Sequence, residues 1–322
     1  MRTLIIHNPA SGFGSDAIYE FQRALLCEGD ECVIRVIRVD QPSAPLVADA
    51  ESFDLVVISG GDGTVTSVLY DLRNRDVLTC VFPSGTANLF VANLGNALEP
   101  AAIARACRMG HSARTDLGEV MWLDQNGRRK RAGFGLMAGL GYDALIMQAA
   151  MSSKKRMGEA AYFAAAVTNP KPQVQRFTIT VDGVTYERTG ISCIVANTDM
   201  IQGDIEIVPD CVMNDGLIDI IMVETQDAVQ LLKPVFFGLV DRNGKKIGRP
   251  RLETFRGREV RVEVTGELAM QVDGDVVSPG INAFIARVLP SANKLVVDSL
   301  SRYRSSDEGS LFGGTDQPLF PK

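Results

Sequence analysis

The chain has 322 residues, of which 46% are hydrophobic and 22% charged, and its formal net charge is −6. This composition is that of a globular protein long enough for two domains, and the negative charge argues against a broad nucleic-acid-binding surface. Two histidines, His7 and His111, leave little for histidine-based zinc or triad chemistry. Six cysteines without CxxC spacing indicate free buried thiols.

The first part of the chain alternates strand and helix patterns. Apolar strand segments are expected at 3–7, 33–39, 54–59 and 78–82, and helical patterns at 16–26, at 64–74, from near Ala87 and at 99–109. This alternation predicts an α/β domain with a parallel sheet and helices on both faces.

The second part changes character after two helical patterns at 142–151 and 158–168. Short strands broken by turns fill 174–223, and further strands are expected at 258–264, 268–273 and 282–288, which predicts a mainly antiparallel β domain. We expect an N-terminal domain over 1–113, with 290–304 as a candidate addition to it, a second domain over 114–289, and a flexible or peripheral tail over 305–322. No apolar stretch reaches the roughly 18 residues of a spanning helix, so no transmembrane segment is expected.

The segment VVISGGDGTVTSVLYDL, residues 56–72, places three glycines and an acid between a buried strand and a helix. Ligands bind at the carboxyl ends of parallel strands, and free amides at a helix start attract phosphate. Glycines let the backbone approach phosphate oxygens closely. Asp62 among them is interpreted as an acid linked to phosphate through Mg²⁺, or else as a residue that only caps the helix.

Two further turns have the same setting. HNPASGFG (7–14) follows the first strand, and PSGTANLF (83–90) follows the fourth. Either turn alone is common, but three such turns after strands of one parallel sheet would meet at one edge and hold a single nucleotide.

The blocks NPASG, GGDGT, PSGTAN, DLG (116–118), AGLGYDA (138–144), DGLID and VDGD (272–275) occur in this order. Together they resemble the diacylglycerol kinase catalytic-domain family, which includes sphingosine kinases and bacterial lipid kinases, over residues 3–298. GGDGT alone is less specific, because NAD kinases share it and phosphofructokinases have a relative of it. The resemblance implies an α/β domain of that kind followed by a β-sandwich lipid-substrate domain, with ATP bound between them.

The resemblance also implies roles for individual residues. The family's general base, a glutamate, falls on Asp275, and Mg²⁺ would be held through Asp62 and Asp273, although a plain hairpin turn is the alternative for Asp273-Gly274-Asp275. A second, structural Mg²⁺ would be bound by Asp215 with the carbonyls of Val212 and Leu217, where a simple turn is equally open. The nucleotide would be lined by Asn8, Pro9, Ala10, Ser11, Gly12, Gly60, Gly61, Asp62, Gly63, Thr64, Val65, Thr66 and Thr86.

The sequence departs from the family in two places. Thr66 and Ser67 replace an Asn-Glu pair after GGDGT, and Leu89 replaces an aspartate after PSGTAN. Two acids near the expected magnesium are therefore missing, which suggests either a leaner magnesium shell or reduced activity.

The expected function is that of an ATP- and Mg²⁺-dependent kinase that phosphorylates a lipid hydroxyl such as that of diacylglycerol or a sphingoid base. The alternatives are a soluble NAD-kinase-like enzyme and a catalytically impaired nucleotide- or lipid-binding regulator. The expected location is cytoplasmic with reversible membrane association, a homodimer is left open, and the basic cluster Lys154–Arg156 is either a contact for lipid head groups or a solvated helix start. Met121 and Trp122 are interpreted as core residues, with an exposed apolar rim as the alternative.

Overall fold

The computed structural model describes residues 1–11, 16–38, 41–144, 173–198, 211–224, 252–299 and 301–304, with the backbone of 200–202 and 205–206. The chain divides into two compact units, Met1–Thr115 with Ser291–Lys322, and Asp116–Pro290. Several expectations lie outside the described residues: Gly12, the helix over 158–168, the basic cluster Lys154–Arg156 and the tail from Ser305. Of the helix expected over 142–151, residues 142–144 are described and are helical.

The first unit contains a parallel sheet in the order β2-β1-β3-β4, with Lys294 and Leu295 paired beside the start of β4. This confirms the predicted parallel α/β arrangement. The strands are β1 (Arg2–His7), β2 (Glu31–Val36), β3 (Leu55–Gly60) and β4 (Leu78–Pro83), and the helices are α1 (Ala17–Leu25), α2 (Asp62–Leu72), α3 (Leu89–Leu94) and α4 (Pro100–Met109). Two short 3-10 turns occupy Ala44–Val47 and Ala50–Ser52.

Burial explains why these segments fold as they do. All six residues of β3 are buried, as expected of a central parallel strand. Ile5 and Val57 of the sheet share a hydrophobic cluster with Phe21 of α1 and Ile103 of α4, so these helices shield one face of the sheet. None of the helices in the described residues is long and apolar enough to cross a bilayer.

The second unit is a β-sandwich whose two layers share two long strands. One layer has the order β14-β13-β10-β7-β15-β16, and in the other β9, β8, β15, β16, β5 and β6 pair in turn. Neighbouring strands such as β10 and β13, or β8 and β9, are antiparallel, which confirms the predicted fold class. The strands are β5 (His111–Leu123), β6 (Arg129–Phe134), β7 (Met137–Gly141), β8 (Gln175–Val181), β9 (Val184–Gly190), β10 (Ser192–Ala196), β11 (Met200–Gln202), β12 (Ile205–Glu206), β13 (Ile218–Val223), β14 (Leu252–Gly257), β15 (Glu259–Val272) and β16 (Asp275–Val297).

The two long strands differ from the sequence prediction. The separate strands expected at 258–264 and 268–273 form the single strand β15, and 282–288 is one part of the 23-residue β16. Register irregularities between Glu263 and Leu268 interrupt the alternation of side chains. Such bulges bend a strand and let it pass from one layer to the other.

The prediction also overlooked β5, β6 and β7. The sequence of β6 is RKRAGF, and its first three residues are charged and exposed. These residues mask the alternation of apolar and polar residues by which a strand is recognised in a sequence. One cysteine expectation is wrong in part: all six thiols are free, but Cys27 is exposed and Cys32 is only partly buried.

Candidate functional site

The three glycine- and serine-containing turns lie at the carboxyl ends of β1, β3 and β4, which are parallel neighbours. Side chains connect these turns directly. The Asn8 amide Nδ2 donates to Thr64 Oγ1 at 2.8 Å, and the Gly61 amide donates to Ser11 Oγ at 3.2 Å. Pro9 and Ala10 between them are exposed. The structure therefore brings the first and second turns together at one edge of the sheet.

A polar chain that the sequence analysis did not anticipate joins the strand ends below these turns. Ser59 Oγ lies 3.0 Å from His7 Nδ1 and 2.8 Å from Ser84 Oγ, so it bridges all three strands. Burial lowers the pKa of His7 from its ordinary value, which favours the neutral imidazole. The sequence signal that could have indicated this chain is a serine at the end of each of two neighbouring strands, Ser59 in β3 and Ser84 directly after β4.

Close packing explains the glycines of the second and third turns. A Cβ atom on Gly85 would lie 2.5 Å from the Cα atom of Gly61, and one on Gly60 would lie 2.5 Å from Thr64 Cγ2. Real Cβ atoms do not approach other atoms so closely, so the third turn can touch the second only because Gly85 lacks a side chain, and Gly60 makes room for Thr64 within the second turn itself.

The third turn is held by Asn88, which was not predicted as a site residue. Its Oδ1 accepts from the Gly85 amide at 2.8 Å and its Nδ2 donates to the Gly85 carbonyl at 2.9 Å. Asn88 has φ 50°, a left-handed conformation that asparagine adopts more readily than most residues. Thr86 lies at the exposed tip of this closed turn.

Asp62 is the first residue of α2, and its partly buried carboxylate faces the start of α3. Its Oδ1 accepts from the Phe90 amide at 2.9 Å, while Oδ2 has no hydrogen-bond partner within the described ranges. The amides of the first turn of α2, which include those of Gly63 and Thr64, have no intrahelical acceptor. A free carboxylate oxygen beside free amides fits an anionic ligand that carries its own cation.

The three residues that depart from the family lie in α2 and at the start of α3. Thr66 is buried in α2, Ser67 Oγ lies 3.1 Å from Ser43 Oγ, and Leu89 is the first residue of α3. In place of the carboxylates that usually occupy the last two positions, the chain has a serine paired with the buried Ser43 and an apolar side chain.

In the second unit, Asp273 and Gly274 form a two-residue hairpin turn between β15 and β16. Both residues have positive φ, 47° and 89°, and Val272 pairs with Asp275 across the turn, which is the geometry of a tight type I′ hairpin. The strand therefore resumes at Asp275, earlier than the predicted start at 282.

The Asp273 carboxylate is engaged with backbone. Its two oxygens accept three amide N–H groups, from Gly135 at 2.8 Å and from Leu136 and Met137 at 2.9 Å each. These bonds fasten the hairpin to the segment between β6 and β7, and they occupy most of the acceptor capacity that a metal ion would need.

Asp275 has the opposite surroundings. It is exposed as the first residue of β16, and its carboxylate has no hydrogen bond or ion pair in the part of the chain that the structure describes. An unpaired carboxylate on a rigid two-residue hairpin can accept a proton from a group brought to it.

A buried polar network lies behind the hairpin and was not predicted. The Gly274 amide donates to Gln271 Oε1 at 2.9 Å, and Gln271 Nε2 donates to Asp143 Oδ2 at 3.1 Å. Ser192 Oγ donates to the other oxygen of Asp143. Desolvation by burial raises the pKa of Asp143, while these hydrogen bonds act in the opposite direction. The network fixes the Gln271 amide and, through it, the turn.

The predicted second metal site is poorly suited to a cation. Asp215 Oδ1 accepts from the Leu217 amide at 3.0 Å, and Oδ2 lies 3.4 Å from the Arg256 guanidinium. That guanidinium already supplies the positive charge, and Val212 is a partly buried neighbour in the loop. No group of three or more His, Cys, Asp or Glu side chains that could hold a metal occurs among the described residues.

Comparison with known proteins matches both units. Residues 2–120 match the diacylglycerol kinase catalytic domain, and residues 137–297 match the YegS C-terminal NAD kinase beta sandwich-like domain. A diacylglycerol kinase of Mycobacterium tuberculosis is 29% identical over 241 residues, which cover 72% of this chain and 74% of the relative. A diacylglycerol kinase of Bacillus subtilis is 26% identical over 85% of this chain and 89% of its own length.

Solved structures show the same fold. A crystal structure of a diacylglycerol kinase from Bacillus anthracis aligns with a TM-score of 0.70 at 19% identity, over 92% of this chain and 97% of that one. Yeast NADH kinase in complex with NADH aligns with a TM-score of 0.51 at 13% identity, over 93% of this chain and 84% of that one. With both of its units matched by family models, the chain belongs to the diacylglycerol kinase catalytic-domain family.

Proposed function

We propose that this protein is an ATP- and Mg²⁺-dependent lipid kinase that transfers a phosphoryl group to a lipid hydroxyl. The observation that carries the proposal is the joining of three strand-end turns around the start of α2, with Asn8 bound to Thr64 and Gly85 packed on Gly61. Relatives named diacylglycerol kinase support the acceptor class.

In this proposal the turns bind the triphosphate through backbone amides and hydroxyls. Asn8, Ser11 and Thr64 lie where they can orient the nucleotide, and Gly60, Gly61 and Gly63 keep the backbone accessible to phosphate oxygens. Asp62 would hold Mg²⁺ through its free carboxylate oxygen, and the ion would neutralise charge on the transferred phosphoryl group. The three amide bonds to Asp273 leave that residue to the hairpin, so it is not included as a ligand, and neither is Asp215.

Asp275 would act as the general base. As the acceptor oxygen forms its bond to the γ-phosphorus, the bond from that phosphorus to the bridging oxygen of ADP breaks, and the hydroxyl proton passes to the Asp275 carboxylate. The bonds of Asp273 to backbone and of Gly274 to Gln271 hold the hairpin, which limits the motion of the base.

The alternative is a soluble kinase of the NAD-kinase type, which the structural likeness to yeast NADH kinase favours at the level of fold. One experiment separates the two: ADP release with a lipid extract in detergent micelles is compared with ADP release with NAD in buffer. We expect turnover only with lipid. Turnover of NAD alone would contradict the proposal, and ATP binding without turnover of either acceptor would favour the impaired regulator.

Asp62→Asn tests the magnesium role of Asp62 in the same assay. It keeps the shape of the side chain and the acceptor for the Phe90 amide but removes the charge. Turnover should fall severely and the magnesium concentration needed for half-maximal rate should rise. Normal turnover with unchanged magnesium dependence would remove Asp62 from the mechanism.

A further inference from the structure

A groove of about 630 Å³ in the second unit is lined by none of the residues assigned above to nucleotide, metal or base. We define the cationic groove by its lining residues: Met121–Leu123, Arg129–Arg131, Arg261 and Ala283–Ile285. We propose that the cationic groove is a docking surface for anionic phospholipid bilayers.

The strand register builds this surface. Met121 pairs with Arg131 and Leu123 pairs with Arg129 across β5 and β6, and directly opposed residues share one face of a sheet. Arg261 and Ile285 are opposed in the same way on β15 and β16. Apolar and cationic side chains are therefore interleaved on one face.

The charged residues that line the cationic groove are all of one sign. Four of its lining residues are cations and none is an acid, although the whole chain carries a net charge of −6. Lys130, Arg131 and Arg261 have side chains 50%, 58% and 52% exposed, so their charged heads reach solvent. Arg129 has no ion pair among the described residues.

Three of the four cations of the cationic groove lie within 4.0 Å of an acid, and their side chains nevertheless remain at least 50% exposed. Glu119 has a side chain only 2% exposed and is shared between Arg287 at 3.1 Å and, more distantly, Arg131 at 4.0 Å. Asp124 lies 3.7 Å from Lys130, and Glu263 lies 2.8 Å from Arg261 at the margin. Such exposed pairs are weak and are easily replaced by phosphate contacts.

The apolar component selects a bilayer over other anionic partners. Leu123 is 55% exposed beside the arginines, and an exposed leucine with basic neighbours matches an interface of head groups and acyl chains. A nucleic acid offers no apolar environment in which Leu123 could be buried. Charged residues on an edge strand such as β6 also discourage strand pairing between copies, but that role does not explain Arg261 on the interior strand β15 or the exposed Leu123.

The only tryptophan of the chain, Trp122, provides a direct reporter because it lines the cationic groove and is 9% exposed. The test uses the full chain with phosphatidylcholine vesicles, with and without phosphatidylglycerol. We expect co-flotation only with the anionic vesicles, weakening with salt as the Debye length shortens to ~8 Å at physiological ionic strength. Brominated acyl chains in those vesicles should quench Trp122.

The double variant Arg129→Gln with Arg131→Gln should bind anionic vesicles roughly 30-fold more weakly, because each basic residue near an anionic surface contributes about 1 kcal/mol and 1.4 kcal/mol is tenfold. Arg23→Gln with Arg105→Gln removes the same charge from exposed positions on α1 and α4 and should bind like the wild type. Leu123→Ser should weaken binding several-fold and leave its salt dependence unchanged, which gives a second readout should the double variant fail to fold.

Three results would overturn the proposal: equal binding to neutral vesicles, equal loss in both double variants, or an unquenched Trp122 on bound vesicles. A change of oligomeric state in the Arg129/Arg131 variant, without any vesicle binding by the wild type, would assign the surface to a second copy instead. Vesicle binding requires no turnover, so its failure leaves the proposed kinase reaction untouched.

Discussion

Two aspartates of one hairpin illustrate how environment separates residues of the same type. Asp273 accepts three backbone amides, whereas Asp275, two residues later, is exposed and unpaired. Both were predicted as functional through the family resemblance that the VDGD block helps to carry, because the sequence shows the carboxylates and not their partners. The distinction requires knowing that the segment 135–137 presents its amides to this turn.

We expect Asp275→Asn to lower kcat by ~10²–10⁴-fold, the usual contribution of a positioned base. The substitution keeps size and hydrogen bonding but removes basicity, so the KM for ATP should stay near that of the wild type. Asp275→Glu restores the family's usual residue and should remain active. Steady-state kinetics of both variants check this, and an asparagine variant that keeps more than about half of its kcat excludes a base role of that size.

His7 should make the first unit sensitive to acid. Burial lowers its pKa from the ordinary value of 6.5, so the unfolded chain binds the proton more readily than the folded one. Stability contributed by the neutral imidazole is present above pH 6.5 and is lost as the pH falls through the lower folded pKa. Urea unfolding across this pH range should show a steeper acid loss for the wild type than for His7→Gln. Parallel curves would contradict the expectation.

At the scale of elements, the sequence predicted best where strands are apolar on both faces. β1, β3 and β4 and the turns after them were located because continuous apolar runs stop abruptly at Gly, Ser and Asn. Prediction failed where alternation is broken by bulges, as within β15, or by charge, as in β6. The bridges between turns, such as Ser59 to Ser84, join residues distant in the chain and leave no local pattern.

The packing of the second turn on the third predicts a specific glycine requirement. In Gly85→Ala the new Cβ would meet the Gly61 Cα at 2.5 Å, so the turns must separate, at a cost of about 1–3 kcal/mol. Both the free energy of unfolding and the affinity for ATP should fall. Gly266→Ala is the control, because its Cβ meets nothing closer than 3.4 Å. Equal effects of the two substitutions would argue against a packed turn.

The β15–β16 hairpin predicts a structural loss in Asp273→Asn. Asparagine offers one acceptor oxygen and an NH₂ group, which would face an amide donor such as that of Gly135, so stability should fall by about 1–3 kcal/mol. Asp124→Asn is the control, since one oxygen of Asp124 accepts both turn amides, from Asn126 and Arg128. Chemical unfolding measures the difference. A raised magnesium requirement at unchanged stability would instead support the metal role inferred from the resemblance.

At the scale of the whole molecule, each unit has its own hydrophobic core and its own polar feature. The first unit carries the three joined turns, and the second carries the hairpin with Asp275 and, formed by other residues, the cationic groove. Fold class followed from periodicity, since parallel and antiparallel sheets have different apolar patterns. The cationic groove could not be predicted from periodicity. In the sequence, Arg128–Arg131 is an ordinary charged run, and only the strands β5, β15 and β16 place apolar residues beside it.

Ligand footprints measured along the whole chain test whether the nucleotide and anionic vesicles bind at separate surfaces. Bound ligand slows amide hydrogen exchange by suppressing local opening at its site, so Mg·ATP should protect residues 8–11, 59–64 and 84–88, which form the three turns. Anionic vesicles should protect β5 and β6 instead. Asp62→Asn should reduce only the first footprint, and the Arg129/Arg131 double variant only the second, because the two surfaces share no residue. Exchange measured by mass spectrometry on both variants with each ligand gives four comparisons. Protection by Mg·ATP confined to the β8–β9 hairpin would contradict the nucleotide assignment, and loss of both footprints in either variant would show that the surfaces are not independent.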